Sequence, residues 1–345
     1  MRCKVVQGTD LPGVSDYCRK AFQGSDVDYT YAVCASEDDT INAAGDADVL
    51  MLVPSRQSAS RRVIENLKRC RYIMGIITGY DTIDLEAATE RGILVTNMPA
   101  MFSEEVADHA MALILSCSRR IVQLNRLVRN GEWVADRMGS RLGRDIWPQL
   151  GRLRGQTLGL IGFGKIARSV ARKAAGFGMK IIAFDPYLEQ SFFDDLDVER
   201  VTLDRILTDS DFVSIHTFLS DETRGMIGLA ELKKMKDTAY IINTARGPII
   251  DGEALYMALT TGIIMGAGLD VTDPEPSTPA NNPLVTLDNC VITPHRGAHS
   301  RMAFDHLASM IPEQVYRVMR GEWPDNLVNP AVKDAYKKRW GRQKC

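Results

Sequence analysis

The chain of 345 residues has no C-x-x-C pair, no cysteine–histidine cluster, no apolar run of membrane length and no large surplus of either charge. Each absence excludes something. Seven cysteines are scattered at positions 3, 18, 34, 70, 117, 290 and 345, so neither a metal site nor a disulfide framework is expected. An odd number of dispersed thiols fits a reducing cytosol, and Cys290, inside "CVITPH", reads as a small buried hydrophobe. The longest apolar stretches are strand-sized, well short of the roughly 20 residues that a membrane helix needs. The opening "MRCKVVQGTD" lacks the basic and apolar regions of a secretory signal. A net charge of −2 and a pI near 6.2 give no field for DNA, RNA or an anionic membrane. A cytoplasmic globular protein with a small-molecule partner is expected.

Apolar residues make up 45% and charged residues 25% of the chain, a globular composition long enough for two domains. Short apolar runs recur at 4–7, 29–33, 48–53, 72–77 and 93–97, with helix-like segments at 58–68 and 84–91 between some of them. Near-continuous apolar strands alternating with helices predict a parallel sheet covered on both faces. Residues 103–133 predict one long helix, with Ser103 as cap, Glu104 and Glu105 in the first turn, and Gly131 as its end. Val106, Ala110, Leu113, Leu115, Ile121, Leu124 and Val128 recur along it at helical spacing. Such a helix suits a link between domains or a dimer interface. Residues 134–154 are polar and read as a solvated loop. The strand pattern then restarts in six runs, "TLGLIG", "KIIAFD", "DFVSIH", "AYIINTA", "GAGLDV" and "CVITPH". A last helix over about 300–320 is placed to return to the first domain, and the basic tail "KDAYKKRWGRQKC" is expected to fray.

The second set of strands opens with Gly162-Phe163-Gly164-Lys165-Ile166-Ala167, a G-x-G-x-x-A pattern directly after a strand and at the start of a helix. Asp185 ends the next strand, 23 positions after Gly162. That constellation predicts a dinucleotide site. Gly162 permits the tight turn, Gly164 admits the pyrophosphate, and Ala167 keeps the helix close to the sheet. The helix N-terminus then offers N–H groups to the phosphates. Asp185 can accept from both adenosine ribose hydroxyls and repels a 2′-phosphate. Pro186 and Tyr187 offer no cation, so NAD is expected over NADP.

Hydride transfer to a keto group needs a cation for the carboxylate and carbonyl, and an acid for the growing alkoxide. It also needs a partner that keeps that acid charged. Arg246 in "NTARGPI", Glu275 in "TDPEP" and His295 in "TPHRGA" stand just past predicted strand ends, where open α/β sheets bind ligands.

These segments resemble the D-isomer-specific 2-hydroxyacid dehydrogenases. The likeness covers roughly residues 45–330 and is densest over 155–300, in "LGLIGFGKIA", "MKDTAYIINTARGPIIDGEALYMAL", "AGLDVTDPEP" and "ITPH". It implies a flavodoxin-like substrate domain over 1–100 and 298–345, a Rossmann NAD-binding domain over 101–297, and a homodimer. Arg246 would clamp the substrate carboxylate and keto oxygen. His295 would be the acid–base group, and Glu275 would hydrogen-bond it and raise its pKa. Thr78, Gly79 and Tyr80 match the loop that holds the carboxylate through backbone N–H groups. Asp270 matches the residue that meets the nicotinamide carboxamide. His216, Thr217, Phe218 and Thr223, together with Thr244, Ala245, His295 and Gly297, match the cofactor-lining positions, with His216 not catalytic. Glutamate at 275 argues against the formate dehydrogenase branch, where glutamine stands there.

Three positions depart from the family pattern. Phe218 stands where proline is usual, Asp108 where glutamate is usual, and Arg296 where a small or apolar residue is usual. Arg296 and Arg56 leave open an acidic or phosphorylated substrate, although Arg296 suits solvent or a rim contact as well. The expected activity is NAD-dependent interconversion of a 2-keto acid and its D-2-hydroxy acid. An NAD(H)-sensing, corepressor-like protein and a phosphite-type dehydrogenase are the rival readings.

Overall fold

Near-continuous apolar runs become central strands, and side-chain caps start many of the helices between them. A computed structural model describes residues 2–11, 13–54, 57–98, 101–133, 146 and 149–341. The chain divides into two compact units, Met1–Phe102 with His299–Cys345, and Ser103–Ala298.

In the first unit the elements run β1 (Cys3–Gln7), α1 (Val14–Phe22), β2 (Val27–Tyr31), α2 (Glu37–Ala44), β3 (Val49–Leu52), α3 (Arg61–Asn66), β4 (Tyr72–Gly75), α4 (Leu85–Glu90) and β5 (Leu94–Thr96). The sheet is parallel in the order β2-β1-β3-β4-β5, a flavodoxin-like order. β3 and β4 are buried at every position. Ser36, Ser60 and Asp84 accept from first-turn N–H groups of α2, α3 and α4, each cap worth about 1 kcal/mol.

The second unit runs α5 (Ser103–Arg119), α6 (Ile121–Arg129), β6 (Thr157–Ile161), α7 (Lys165–Gly176), β7 (Lys180–Phe184), α8 (Ser191–Asp194), β8 (Glu199–Arg200), α9 (Leu203–Asp209), β9 (Phe212–Ile215), α10 (Leu229–Leu232), β10 (Tyr240–Asn243), α11 (Gly252–Thr260), β11 (Gly266–Leu269) and β12 (Cys290–Ile292). Its sheet, also parallel, has the order β12-β11-β10-β9-β6-β7-β8. That is the doubly wound Rossmann order, reversing between β6 and β9. One apolar cluster, with Ala110, Leu158, Phe163 and Val170, covers one face; a second, with Val213, Leu255 and Leu269, covers the other.

The chain then returns to the first unit as α12 (Arg301–Met319) and α13 (Val332–Trp340). Tyr316 on α12 donates its hydroxyl to the carbonyl of Ala21, and its ring packs edge-on against Phe22 of α1, 5.6 Å between centroids.

Three expectations are corrected here. The helix expected over 103–133 breaks at Arg120, whose φ of 51° is left-handed, so α5 and α6 are separate helices. β8 is an additional strand, two polar residues long on the sheet edge, too short for any periodicity to reveal. The tail does not fray through residue 340. In α13, the Trp340 indole N–H donates to Gly92 O at 2.8 Å, and the Arg71 guanidinium stacks over the Trp340 ring. A run of lysines and arginines suggested a solvated segment, but Trp340 and the buried Val332 and Tyr336 anchor it. Most of the loop expected over 134–154 lies outside the described residues. Among the described residues no helix is long and apolar enough to cross a membrane.

Candidate active site

The cofactor turn is built by exclusion of side-chain volume. Gly162 has φ 82°, and a Cβ on it would lie 2.9 Å from the backbone of His216 and Thr217. Glycine is therefore required both by conformation and by the close passage of the chain after β9. At Gly164 the position of a Cβ is open, so the space above the first turn of α7 is free for a ligand. Lys165 is exposed there, Ile166 half-buried, and Ala167 fully buried. Asp185 accepts from the N–H of Phe163 at 2.9 Å and of Tyr187 at 3.0 Å, which fixes its carboxylate at the end of β7. Arg200 of β8 donates to the carbonyls of Asp185 and Pro186, a cation that the residues following Asp185 did not reveal.

The walls of that space come from two further strand ends. His216 shares a hydrogen bond between Nε2 and Ser214 Oγ at 2.9 Å, and burial pushes its pKa down to about 3, so the ring is neutral. Phe218 is exposed, and Thr223 ties the following loop by donating its hydroxyl to Phe218 O at 2.6 Å. Thr217 is half-buried between them. Beyond β10, the buried Asn243 shapes the turn. Its Oδ1 accepts from Ala245 N–H and its Nδ2 donates to Arg246 O, both at 2.9 Å. The Thr244 hydroxyl is buried with no hydrogen-bond partner among the described residues. A buried hydroxyl without a partner is costly, and a polar ligand in this space would satisfy it. The open Gly164, the helix N-terminus, Asp185 and Thr244 together fit a dinucleotide.

Arg246, Glu275 and His295 converge at the ends of β10, β11 and β12. Glu275 Oε2 accepts from His295 Nδ1 at 2.8 Å, and Thr272 N–H donates to its Oε1 at 3.0 Å. A carboxylate only accepts, so Nδ1 carries a proton and Nε2 is left as the ring's working position. Burial raises the Glu275 pKa, but the hydrogen bond and charge of His295, the Thr272 N–H and the Arg246 charge outweigh it. The carboxyl is therefore held below its ordinary value. Arg246 donates from Nη1 to Ala245 O at 2.8 Å. Gly247 brings these loops together: a Cβ there would sit 2.1 Å from the carbonyl carbon and oxygen of Thr272. His295 has φ 54°. A non-glycine residue persists in this conformation only where its surroundings hold it there.

Asp270 is 3% exposed. Its Oδ1 accepts from Thr293 Oγ1 at 2.6 Å and Arg296 N–H at 2.9 Å, and its Oδ2 from Gly297 N–H at 2.7 Å. Burial pushes its pKa up, but these donors and His109 prevail and hold it low. Both carboxylate oxygens are thus engaged within the protein. Thr293 and His109 joined this site without notice in the sequence; His109 was visible only inside "VADHA". Asp108 pairs with Lys173 at 2.8 Å. Arg296 is exposed and donates from Nη1 to His295 O at 3.3 Å. In the first unit, Thr78, Gly79 and Tyr80 follow β4. Thr78 donates its hydroxyl to Met98 O, and its own carbonyl accepts from Asn97 Nδ2. Arg56 lies outside the described residues.

Residues 111–297 match the family described as D-isomer specific 2-hydroxyacid dehydrogenase, NAD binding domain. The chain is 44% identical over 271 residues to a glyoxylate reductase of Korarchaeum cryptofilum, covering 78% of this chain and 79% of that protein. The chain belongs to the D-isomer-specific 2-hydroxyacid dehydrogenases. A glyoxylate reductase of Thermococcus litoralis is 41% identical over 79% of this chain and 81% of its own. The TT0316 protein from Thermus thermophilus superposes with a TM-score of 0.83 at 35% identity, covering 94% of this chain and 99% of that one. The D-lactate dehydrogenase of Aquifex aeolicus, solved with NAD and lactic acid, has a TM-score of 0.80 at 26% identity, with 92% and 96% covered. This dehydrogenase is an NAD-dependent oxidoreductase that interconverts a 2-keto acid and a 2-hydroxy acid.

Proposed function

We propose that the enzyme reduces a small 2-keto acid to the 2-hydroxy acid, the D isomer wherever the product is chiral, with glyoxylate, which gives the achiral glycolate, the first candidate. The His295–Glu275 hydrogen bond, held beside the charge of Arg246, carries this reading. Bound NADH supplies the hydride that adds to the keto carbon. The Gly162–Ile166 turn, Asp185, His216, Thr217, Phe218, Thr223, Thr244, Ala245, Asp270 and Gly297 are the residues assigned to hold it. Arg246 binds the carboxylate and keto oxygen by paired N–H donation. His295, protonated at both ring nitrogens, gives its Nε2 proton to the oxygen as charge grows there, while Glu275 steadies the cation. Oxidation runs the same steps in reverse. Thr78, Gly79, Tyr80 and Arg56 are the residues of the first stretch of chain assigned to the substrate.

The glyoxylate reductase names of the relatives support the choice of substrate. We assign the enzyme to the cytoplasm as a homodimer. The apolar side chains of Ile121, Val122 and Val128, all exposed on α6, support the second assignment.

The test is NADH oxidation, followed by absorbance, with glyoxylate, hydroxypyruvate, pyruvate and 2-oxoglutarate. Turnover is expected with at least the smallest of them, and His295→Ala should lower kcat by about 10³-fold, within the usual range for a lost acid–base group. Wild-type turnover in that variant would remove His295 from the mechanism.

A further inference from the structure

Three consecutive backbone N–H groups end on one residue. His295 donates to the main-chain carbonyl of Asp270 at 2.8 Å, Arg296 to its Oδ1 at 2.9 Å, and Gly297 to its Oδ2 at 2.7 Å. Gly297 leaves no room for a side chain, since a Cβ there would lie 2.9 Å from Asp270 Oδ2 and 3.5 Å from His109. Asp270 is therefore the template on which the left-handed turn at His295 is laid.

Asp270 is itself held from behind. The Thr293 hydroxyl has one proton and donates it to Asp270 Oδ1 at 2.6 Å. His109 Nε2, 2.7 Å from Thr293 Oγ1, must then be the donor in that contact. The same Nε2 is 3.3 Å from Asp270 Oδ1. His109 comes from α5, Asp270 from the end of β11, and Thr293 from the end of β12. A chain of donors running into a buried carboxylate polarises along its length.

We propose that His109 and Thr293 form a hydrogen-bond relay that holds Asp270, and through it the His295 turn, in the reactive arrangement. The proposal rests on the reading of His295 as the proton donor. His109 and Thr293 are positioning residues: they act through Asp270 and need not touch the substrate. A carboxylate that loses its hydroxyl donor draws harder on its remaining partners, and the left-handed histidine, conformationally costly in itself, loses its restraint.

The test uses the full chain with the most active keto acid of the panel above. Thr293→Val removes the hydroxyl at nearly constant shape, Thr293→Ser keeps it, and His109→Leu removes the first donor. Thr293→Val is expected to lower kcat roughly tenfold with KM changed less than about twofold, the loss expected of one hydrogen bond to a charged group. Thr293→Ser should recover most of the rate. His109→Leu combined with Thr293→Val should be little slower than Thr293→Val alone, because links in series do not add. Hydrogen exchange at the amides of 295–297 should be faster in Thr293→Val than in the wild type, a readout that needs no turnover. Unchanged exchange with wild-type kcat in Thr293→Val overturns the relay, as do losses that multiply in the double variant. His295→Ala, assayed alongside, separates the two failures. If it turns over at the wild-type rate, the acid–base reading is what fell, and the relay's catalytic role falls with it.

Discussion

Two left-handed residues follow strands of the second unit's sheet, one after β6 and one after β12, and they are held in opposite ways. After β6 the turn residue is Gly162, at φ 82°; after β12 it is His295, at φ 54°. The first turn exists for its backbone, so the residue with no side chain occupies it. The second exists for its side chain, so an imidazole sits where glycine would be easier, and Asp270 supplies three acceptors to keep it there. Where a ligand must approach the main chain, strain is avoided. Where a side chain must be aimed, strain is tolerated and held by neighbours.

That contrast can be broken from either side. The largest effect is expected from replacing the imidazole. His295→Ala and His295→Gly should both lose activity by about 10³-fold. They should differ in stability, with the glycine variant about 1 kcal/mol more resistant to urea, because only it adopts φ 54° without cost. Equal urea midpoints would mean that the left-handed turn stores no strain. Next in size is Gly162→Ala. A methyl group there meets backbone at 2.9 Å as well as an unfavourable φ, so the NADH Kd from fluorescence titration should rise more than about tenfold. Retained wild-type affinity would dissociate this turn from the cofactor.

The smallest effect is on the pH dependence of stability. The Glu275 carboxyl is held below its ordinary value, so its contribution is fully present above the unfolded pKa. It is lost as pH falls through the folded one. The stability difference between wild type and Glu275→Gln should therefore be constant between about pH 5 and pH 6, where the imidazole still carries its charge, and close below about pH 4. Urea melts across that range check it. A gap that widened on acidification would reverse the sign of the coupling.

Much of this fold was legible because its strands are buried on both faces. "VLML" and "YIMG" are apolar throughout and cannot be mistaken for surface. Length and polarity limited the rest. Glu199–Arg200 pairs with β7 as a backbone ladder, and nothing in two charged side chains announces that. The break at Arg120 involves no glycine or proline, so helical periodicity ran straight through it. At the candidate site, the strand-end positions of Arg246, Glu275 and His295 followed from the motifs. Their supports did not. Asn243, Gly247, Thr293 and His109 act through contacts between loops distant in sequence, such as the 184 positions between His109 and Thr293.

The first unit is sewn from two stretches of chain. Asn329, from the later stretch, accepts from Val95 N–H through Oδ1 and donates to Ile93 O, stitching itself to the strand that ends the earlier one. A ribosome delivers these stretches in order, with some 200 residues between them, or about 10–40 s at ordinary synthesis rates. The five-stranded sheet emerges first and waits for α12 and α13, while the seven-stranded unit emerges whole in the interval. The part of the molecule that is born first is the last to be finished.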